Sequence, residues 1–256
     1  MWSPLLAGCR ALLAASLPNR CLLCHQQIPS ASQGLCACCL AASSYRQPIC
    51  LGCGRELAVI ARYCGSCMKH SPIPVVAPAS YHSALGPLVG RVKYQQDFAP
   101  LPALVRALSC RVKTLATAGL ICWPQVLVPV PLHPARLQQR GFNQAWVIAS
   151  MLSQELALPL VDSLLLRVAD TAPQAGLSGK ARRRNLAKAF AVRGELQWQR
   201  LVLVDDVVTT GTTIREAAKA LAPWSPDIQV WCLARAEAPG LSHSSWAVKG
   251  RQDGAD

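Results

Sequence analysis

The run Leu201-Val202-Leu203-Val204-Asp205-Asp206-Val207-Val208-Thr209-Thr210-Gly211-Thr212-Thr213 decides how this chain folds. Its first four residues are apolar without polar alternation, which marks a parallel strand buried on both faces. Thr209 to Thr213 then turn the chain into a helix. On that helix Ile214, Ala217, Ala218 and Leu221 recur at i, i+3, i+4 and i+7 and form one apolar face. A strand that passes through a Thr/Gly turn into a helix aims backbone N–H groups and the positive end of the helix dipole at an anion. Asp205 and Asp206 stand side by side at the end of the strand, where two carboxylates repel each other and desolvate badly. They are at home if they meet hydroxyls and a divalent cation. Strand, acids and turn together therefore point to a sugar-phosphate with magnesium.

Working outward, the chain alternates strand and helix. Val126 to Pro131 reads as a short buried strand, and Leu132 to Gly141 as a loop containing His133, Arg136 and Arg140. A helix follows from Phe142 to Leu156, with Ile148, Leu152 and Leu156 on one face, and Ile228 to Ala234 is a later strand. Strands separated by helices imply βαβ units and a parallel sheet. Ligands on such sheets bind beyond the carboxyl ends of the strands, where the 131–141 and 205–213 loops converge.

The other end of the chain is built differently. Ten of the 13 cysteines lie in the first 67 residues, as Cys21-x2-Cys24, Cys36-x2-Cys39 (with Cys38 inside it), Cys50-x2-Cys53 and Cys64-x2-Cys67. Each pair closes a knuckle that presents two thiolates to one tetrahedral ion, and two knuckles make a four-cysteine zinc site. Eight thiolates predict two zinc ions. Spacing allows a sequential pairing, with Cys21, Cys24, Cys36 and Cys39 on one ion and Cys50, Cys53, Cys64 and Cys67 on the other, and equally a cross-braced or nested one. A disulfide framework needs an exported protein. The export signal in Met1 to Leu17 is poor, because Arg10 interrupts it and no basic stretch precedes it. No run reaches the length of a membrane span, so the reading is a cytoplasmic protein with reduced thiols.

These features divide the chain into an N-terminal segment (1–20), a double zinc-ribbon module (21–70), a Pro-rich linker (71–80), a large α/β domain (81–238) and a loose tail (239–256). At 27.4 kDa there is room for one sizeable core, while the small unit needs metal to fold. The net charge of +13 divides as +5 over residues 1–80, +9 over 81–198 and −1 over 199–256. Lys180, Arg182, Arg183, Arg184 and Lys188 form the densest cluster, suited to polyphosphate or a nucleic-acid backbone, or simply to a solvated face.

The 201–213 run resembles the phosphoribosyl-pyrophosphate (PRPP) binding signature of type I phosphoribosyltransferases. A longer series runs from the cysteine knuckles through Leu88-Val89-Gly90-Arg91-Val92-Lys93-Tyr94, Val128-Pro129-Val130-Pro131-Leu132 and Gln139-Arg140-Gly141-Phe142-Asn143-Gln144-Ala145. It continues through Gln174-Ala175-Gly176-Leu177-Ser178, Arg184-Asn185-Leu186 and Ala189-Phe190. From about Cys21 to Arg235 this resembles the ComF/GntX family, zinc-ribbon proteins with a phosphoribosyltransferase domain linked to natural competence and DNA uptake. The resemblance implies an α/β fold with a type I phosphoribosyltransferase-like parallel sheet flanked by helices, behind a small Cys-rich zinc-ribbon module. It implies that Asp205 and Asp206 hold the ribose hydroxyls, and that Thr209, Thr210, Gly211, Thr212 and Thr213 hold the 5-phosphate. The stretch around His133, Arg136 and Arg140 then takes the pyrophosphate, and Gln174 to Arg184 forms a lid.

Asn143 and Gln144 read as helix-start residues as readily as ligands, and Lys93 as a surface or paired lysine. Two roles follow from the resemblance. One is a DNA-uptake protein with a PRPP-type site, contact to single-stranded DNA and DNA-uptake partners. The other is a working transferase that passes a phosphoribosyl group from magnesium-bound PRPP to a nitrogenous base, with Asp205 or Asp206 assisting proton movement.

Overall fold

The computed structural model describes residues 19–29, 34–70, 72–168, 189–194, 197–223 and 227–237. At its centre is a four-stranded sheet in the order β1-β6-β5-β2, all parallel: β1 (Val75–Val76), β6 (Asp227–Arg235), β5 (Arg200–Val208) and β2 (Val126–Pro129). The register sets Leu201 beside both Val126 and Ile228, and Val204 beside both Pro129 and Trp231. As expected of a strand with no polar alternation, Leu201 to Val204 are fully buried.

Both faces of the sheet are covered. On one, Leu127, Val202, Val204 and Trp231 pack against α3 (Gly86–Gln95), α4 (Leu101–Thr117) and α6 (Gln144–Leu156), which contribute Val89, Leu104, Leu108, Ile148 and Leu152. On the other, Val128, Leu203 and Val230 meet α7 (Thr212–Leu221) through Ile214, Ala217, Ala218 and Leu221, the four residues whose spacing predicted an apolar face. A two-stranded antiparallel ribbon, β3 (Leu165–Arg167) with β4 (Phe190–Val192), adds Leu165 and Phe190 to that second core. Burying each large aliphatic side chain contributes roughly 1.5–3 kcal/mol, so the paired cores are the main support of the sheet.

Two local readings change. The stretch expected to be a Pro-rich linker instead carries β1, and Val75, Val76, Ala77 and Ala79 are all buried. The stretch expected to be a loop after β2 contains α5 (Pro134–Arg140). His133 caps that helix by accepting the Ala135 N–H, Pro134 opens it with its pre-set backbone angle, and Gly141 closes it at φ 78°.

The cysteine knuckles form two separate clusters in sequential pairing: Cys21, Cys24, Cys36 and Cys39, then Cys50, Cys53, Cys64 and Cys67, with the sulfurs of each within 4.8 Å of one another. Tetrahedral zinc with bonds of about 2.3 Å separates its sulfurs by about 3.8 Å. Cys24 Sγ to Cys36 Sγ is 3.8 Å and Cys53 Sγ to Cys64 Sγ is 3.7 Å. Backbone amides already point at the sulfurs: Cys36 N–H at Cys21 Sγ, Cys39 N–H at Cys36 Sγ and Cys64 N–H at Cys50 Sγ. This donor set fits structural zinc. The Cys39 N–H bond also caps the short helix α1 (Ala37–Ser43), and Cys64 begins the single turn α2 (Gly65–Met68).

The second ribbon is fastened to the sheet. Leu51 C=O accepts the Val75 N–H on the outer edge of β1 and also the buried Arg235 guanidinium, which bonds Gly52 C=O as well. Tyr45 and Ser80 both donate to the Glu237 carboxylate just beyond β6. Stripping zinc with a strong chelator is therefore expected to expose the Val75 amide to hydrogen exchange along with the ribbon. A Val75 amide that stays protected after metal removal would show that β1 holds without the ribbon.

Candidate functional site

The site begins where β2 stops. Val130 N–H still bonds Val204 C=O, but beyond Val204 no strand among the described residues pairs with that side of β5. The next amides turn to the strand's own carboxylates: Asp206 N–H donates to Asp205 Oδ1 (2.9 Å) and Val207 N–H to Asp206 Oδ1 (2.6 Å). The two acids therefore lie within the last turns of the strand, and Val207 and Val208 complete it.

Lys93, near the end of α3, reaches across and places its Nζ 3.0 Å from Asp206 Oδ1. The Asp206 side chain is only 9% exposed, so this ammonium meets a charge that water does not. Burial works against the Lys93 ammonium, yet the charges of Asp206 and Asp205 outweigh it and hold its pKa above the ordinary lysine value. Asp205 gets less help. Burial, and then the neighbouring Asp206 charge, push its carboxyl up to about 7 despite the pull of Lys93. Two carboxylates that share one ammonium make a place for a further cation or for hydroxyl donors.

The turn that follows is pre-shaped. Gly211 sits at φ 66°, ψ 13°, the left-handed region where a side chain costs about 1 kcal/mol, and it caps α7. Thr209 and Thr210 are exposed, Thr212 is buried and Thr213 half-buried. The Thr210 and Thr212 hydroxyls lie 2.9 Å apart, and Arg215 Nη2 donates to Thr212 Oγ1. Acids and turn are thus brought together as expected. Arg136 and Arg140 both lie on α5, directly after β2, while the cation that touches the acids is Lys93.

Within the conspicuous Gln139–Ala145 element, Phe142, Asn143 and Gln144 make capping and packing contacts. Asn143 caps α6 by accepting the Ala145 N–H, and its Nδ2 donates to Val130 C=O at the end of β2. Gln144, 4% exposed, donates to the Lys93 carbonyl and so fixes α3 against α6 beneath the acids. Phe142 packs edge-to-face on Phe98, with centroids 5.0 Å apart. Lys93 had a sequence signal: it follows Val89 by four residues, on the flank of the stripe formed by Leu85, Leu88, Val89 and Val92. The expected lid from Gln174 to Arg184, the basic cluster Lys180 to Lys188 and the 239–256 tail lie outside the described residues.

Two outcomes follow. Lys93→Met should cost about 1–3 kcal/mol by leaving the Asp206 charge unpaired. Adding Asp206→Asn should recover most of that loss in a double-mutant denaturation cycle. A carboxyl whose folded pKa is raised favours folding while it is protonated. Its contribution is therefore full below about pH 4 and lost as pH rises through about 7. Asp205→Asn should flatten that part of the stability–pH curve of the ligand-free protein, and an unchanged slope would mean Asp205 ionises normally.

Family models match a phosphoribosyl transferase domain over residues 143–254 and a double zinc ribbon domain over residues 12–68. Competence protein F of Haemophilus influenzae is 38% identical over 224 residues, which are 85% of this chain and 97% of that protein. DNA utilization protein YhgH of Escherichia coli K12 is 33% identical over 223 residues, 86% of this chain and 98% of that one. A solved purine phosphoribosyltransferase from Pyrococcus horikoshii Ot3 is matched at 20% identity over 53% of this chain and 72% of that one. Its TM-score of 0.32 is too distant a likeness to carry an argument. With two four-cysteine clusters ahead of a parallel sheet, and relatives aligned over nearly their whole length, this chain belongs to the competence protein F family, which joins a double zinc ribbon to a phosphoribosyl transferase domain.

Proposed function

We propose that this protein binds PRPP with magnesium at the Asp205–Thr213 cradle and uses that site in the handling of incoming single-stranded DNA. The observation that carries the ligand is the juxtaposition of two under-neutralised carboxylates with a left-handed Gly211 turn at a helix N-terminus. Asp205 and Asp206 would hold the ribose hydroxyls and are the residues that would hold magnesium. Thr209 to Thr213 would donate amides and hydroxyls to the 5-phosphate, and Arg136 and Arg140 would take up the pyrophosphate charge. Magnesium, when bound, neutralises phosphate charge. Lys93 donates to Asp206, and Gln144 bonds the Lys93 carbonyl and holds that residue in place.

The DNA role draws on the names carried by the relatives, a competence protein and a DNA utilization protein, and on the +13 net charge, which favours a polyanion. A second reading, transfer of the phosphoribosyl group to a base, is favoured by one feature. A carboxyl held near pKa 7 is suited to carrying a proton at neutral pH.

Calorimetric titration with PRPP and magnesium should show one saturable event, weakened at least 100-fold in Asp205→Asn/Asp206→Asn. The same double variant should retain salt-sensitive binding of single-stranded DNA, whereas reversing the charges of Lys180 to Lys188 should abolish it. No PRPP binding by folded, zinc-loaded protein overturns the cradle. Pyrophosphate release with a panel of bases would move the assignment to the transferase.

A further inference from the structure

Beside the Thr209–Gly211 turn the surface opens into a cleft. A cavity of about 430 Å³ separates the turn from the second zinc ribbon, with Gly52 and Cys53 on one wall and Val208, Gly211 and Arg215 on the other. A second cavity, of about 560 Å³, runs along α7 and is lined by Tyr63, Pro74, Ile228, Arg62 and Lys219. The two share Pro72, Ile73 and Arg215, so they adjoin. Each is in the size range of small-molecule sites, roughly 300–1,000 Å³. A terminal phosphate seated on the turn has no use for such space.

The walls have the chemistry of an anion followed by a flat ring. Arg215 stands where the cavities meet and bonds Thr212 of the turn. Arg235 is 6% exposed and lines the first cavity. Its two terminal nitrogens bond ribbon carbonyls. Arg62 lines the second cavity and stacks its guanidinium 5.2 Å from the Tyr63 ring centre. Lys219 is paired with Glu216, and Asp227 is the acid in the lining. Tyr63, Pro72, Ile73 and Pro74 supply apolar surface beyond the cations, of the kind that receives an aromatic base. The ribbon must come this close: a side chain on Gly52 would overlap Pro72 Cγ at 2.5 Å and Cys67 Sγ at 2.9 Å.

We propose that the ligand of this site continues past its 5-phosphate, as a ribose 5-phosphate joined through a phosphoanhydride to a nucleotide, of which ADP-ribose is the simplest form. The second phosphate lies at Arg215, and the base lies against Tyr63 and the Pro72–Pro74 segment. The zinc ribbon then forms part of the ligand site. This inference rests on the ribose-phosphate reading of Asp205 to Thr213.

The test compares ribose 5-phosphate, ADP-ribose, ADP and PRPP on the zinc-loaded protein with magnesium, by calorimetry and by competition. ADP-ribose should bind at least tenfold tighter than ribose 5-phosphate and displace PRPP. The double variant Arg62→Gln/Lys219→Gln should remove that advantage and leave ribose 5-phosphate binding unchanged, which also reports that the fold is intact. If PRPP binds while ADP-ribose binds no better than ribose 5-phosphate, the extended ligand is wrong and the cradle stands. If ADP alone binds as tightly as ADP-ribose, the groove is a separate nucleotide site and the inference fails. If none of the four binds, the inference and the cradle fall together.

Discussion

A carboxylate carried into the end of a buried sheet has to be matched by something, and here two adjacent ones lie by the Lys93 ammonium, which donates to Asp206. Much of the surrounding structure can be understood from that arrangement. Strand β2 stops early, which frees the amides of Asp206 and Val207 to bond the two side chains. Helix α3 ends at the height that lets Lys93 reach Asp206, and Gln144 fixes that height from α6. Burial first, and then the Asp206 charge, raise the pKa of the Asp205 carboxyl. A sheet that had only to be stable would place apolar residues here, since ion pairs in such places seldom repay their desolvation.

The zinc ribbons answer a different problem. Some fifty residues with few large apolar side chains cannot hold a fold by burial, so metal–sulfur bonds replace the core. Leu51 of the second ribbon nevertheless joins the main hydrophobic cluster. Arg235 ties that ribbon to a strand whose partner residue, Val208, immediately precedes the Thr209–Thr213 turn. The second cysteine cluster and that turn are thus linked through one guanidinium.

Sequence reading performed well where a single physical demand dominated. An unbroken apolar run has to be a doubly buried strand, and the i, i+3, i+4 pattern after it has to be a helix face. Both are found as expected. It did less well where demands competed. The prolines around Val75 and Val76 look like a linker, yet a two-residue edge strand tolerates them because Pro74 is needed only for its carbonyl, which accepts the Val230 N–H. The Pro131–Gly141 segment carries loop-forming residues at both ends, which hid the short helix between them. Lys93 reads as a surface or a paired lysine, and the sequence does not choose between them because its partner is 113 residues away. Thiol spacing left the zinc pairing open, and only the fold of the knuckles decides it in favour of sequential pairs.

The position of Leu51 also bears on how the molecule meets copies of itself. An open parallel sheet normally offers two rows of unpaired backbone groups, each a template for another chain. Here the row on β1 is occupied by the Leu51 carbonyl. The row on β2 is met by Pro159 and Val161, which bond Leu127 from either side, and by the Leu160 bridge. The sheet is closed at both margins by its own chain. Growth by strand addition, the common route from a partly folded α/β protein to fibrils, is blocked on one margin only while the metal-held ribbon is in place.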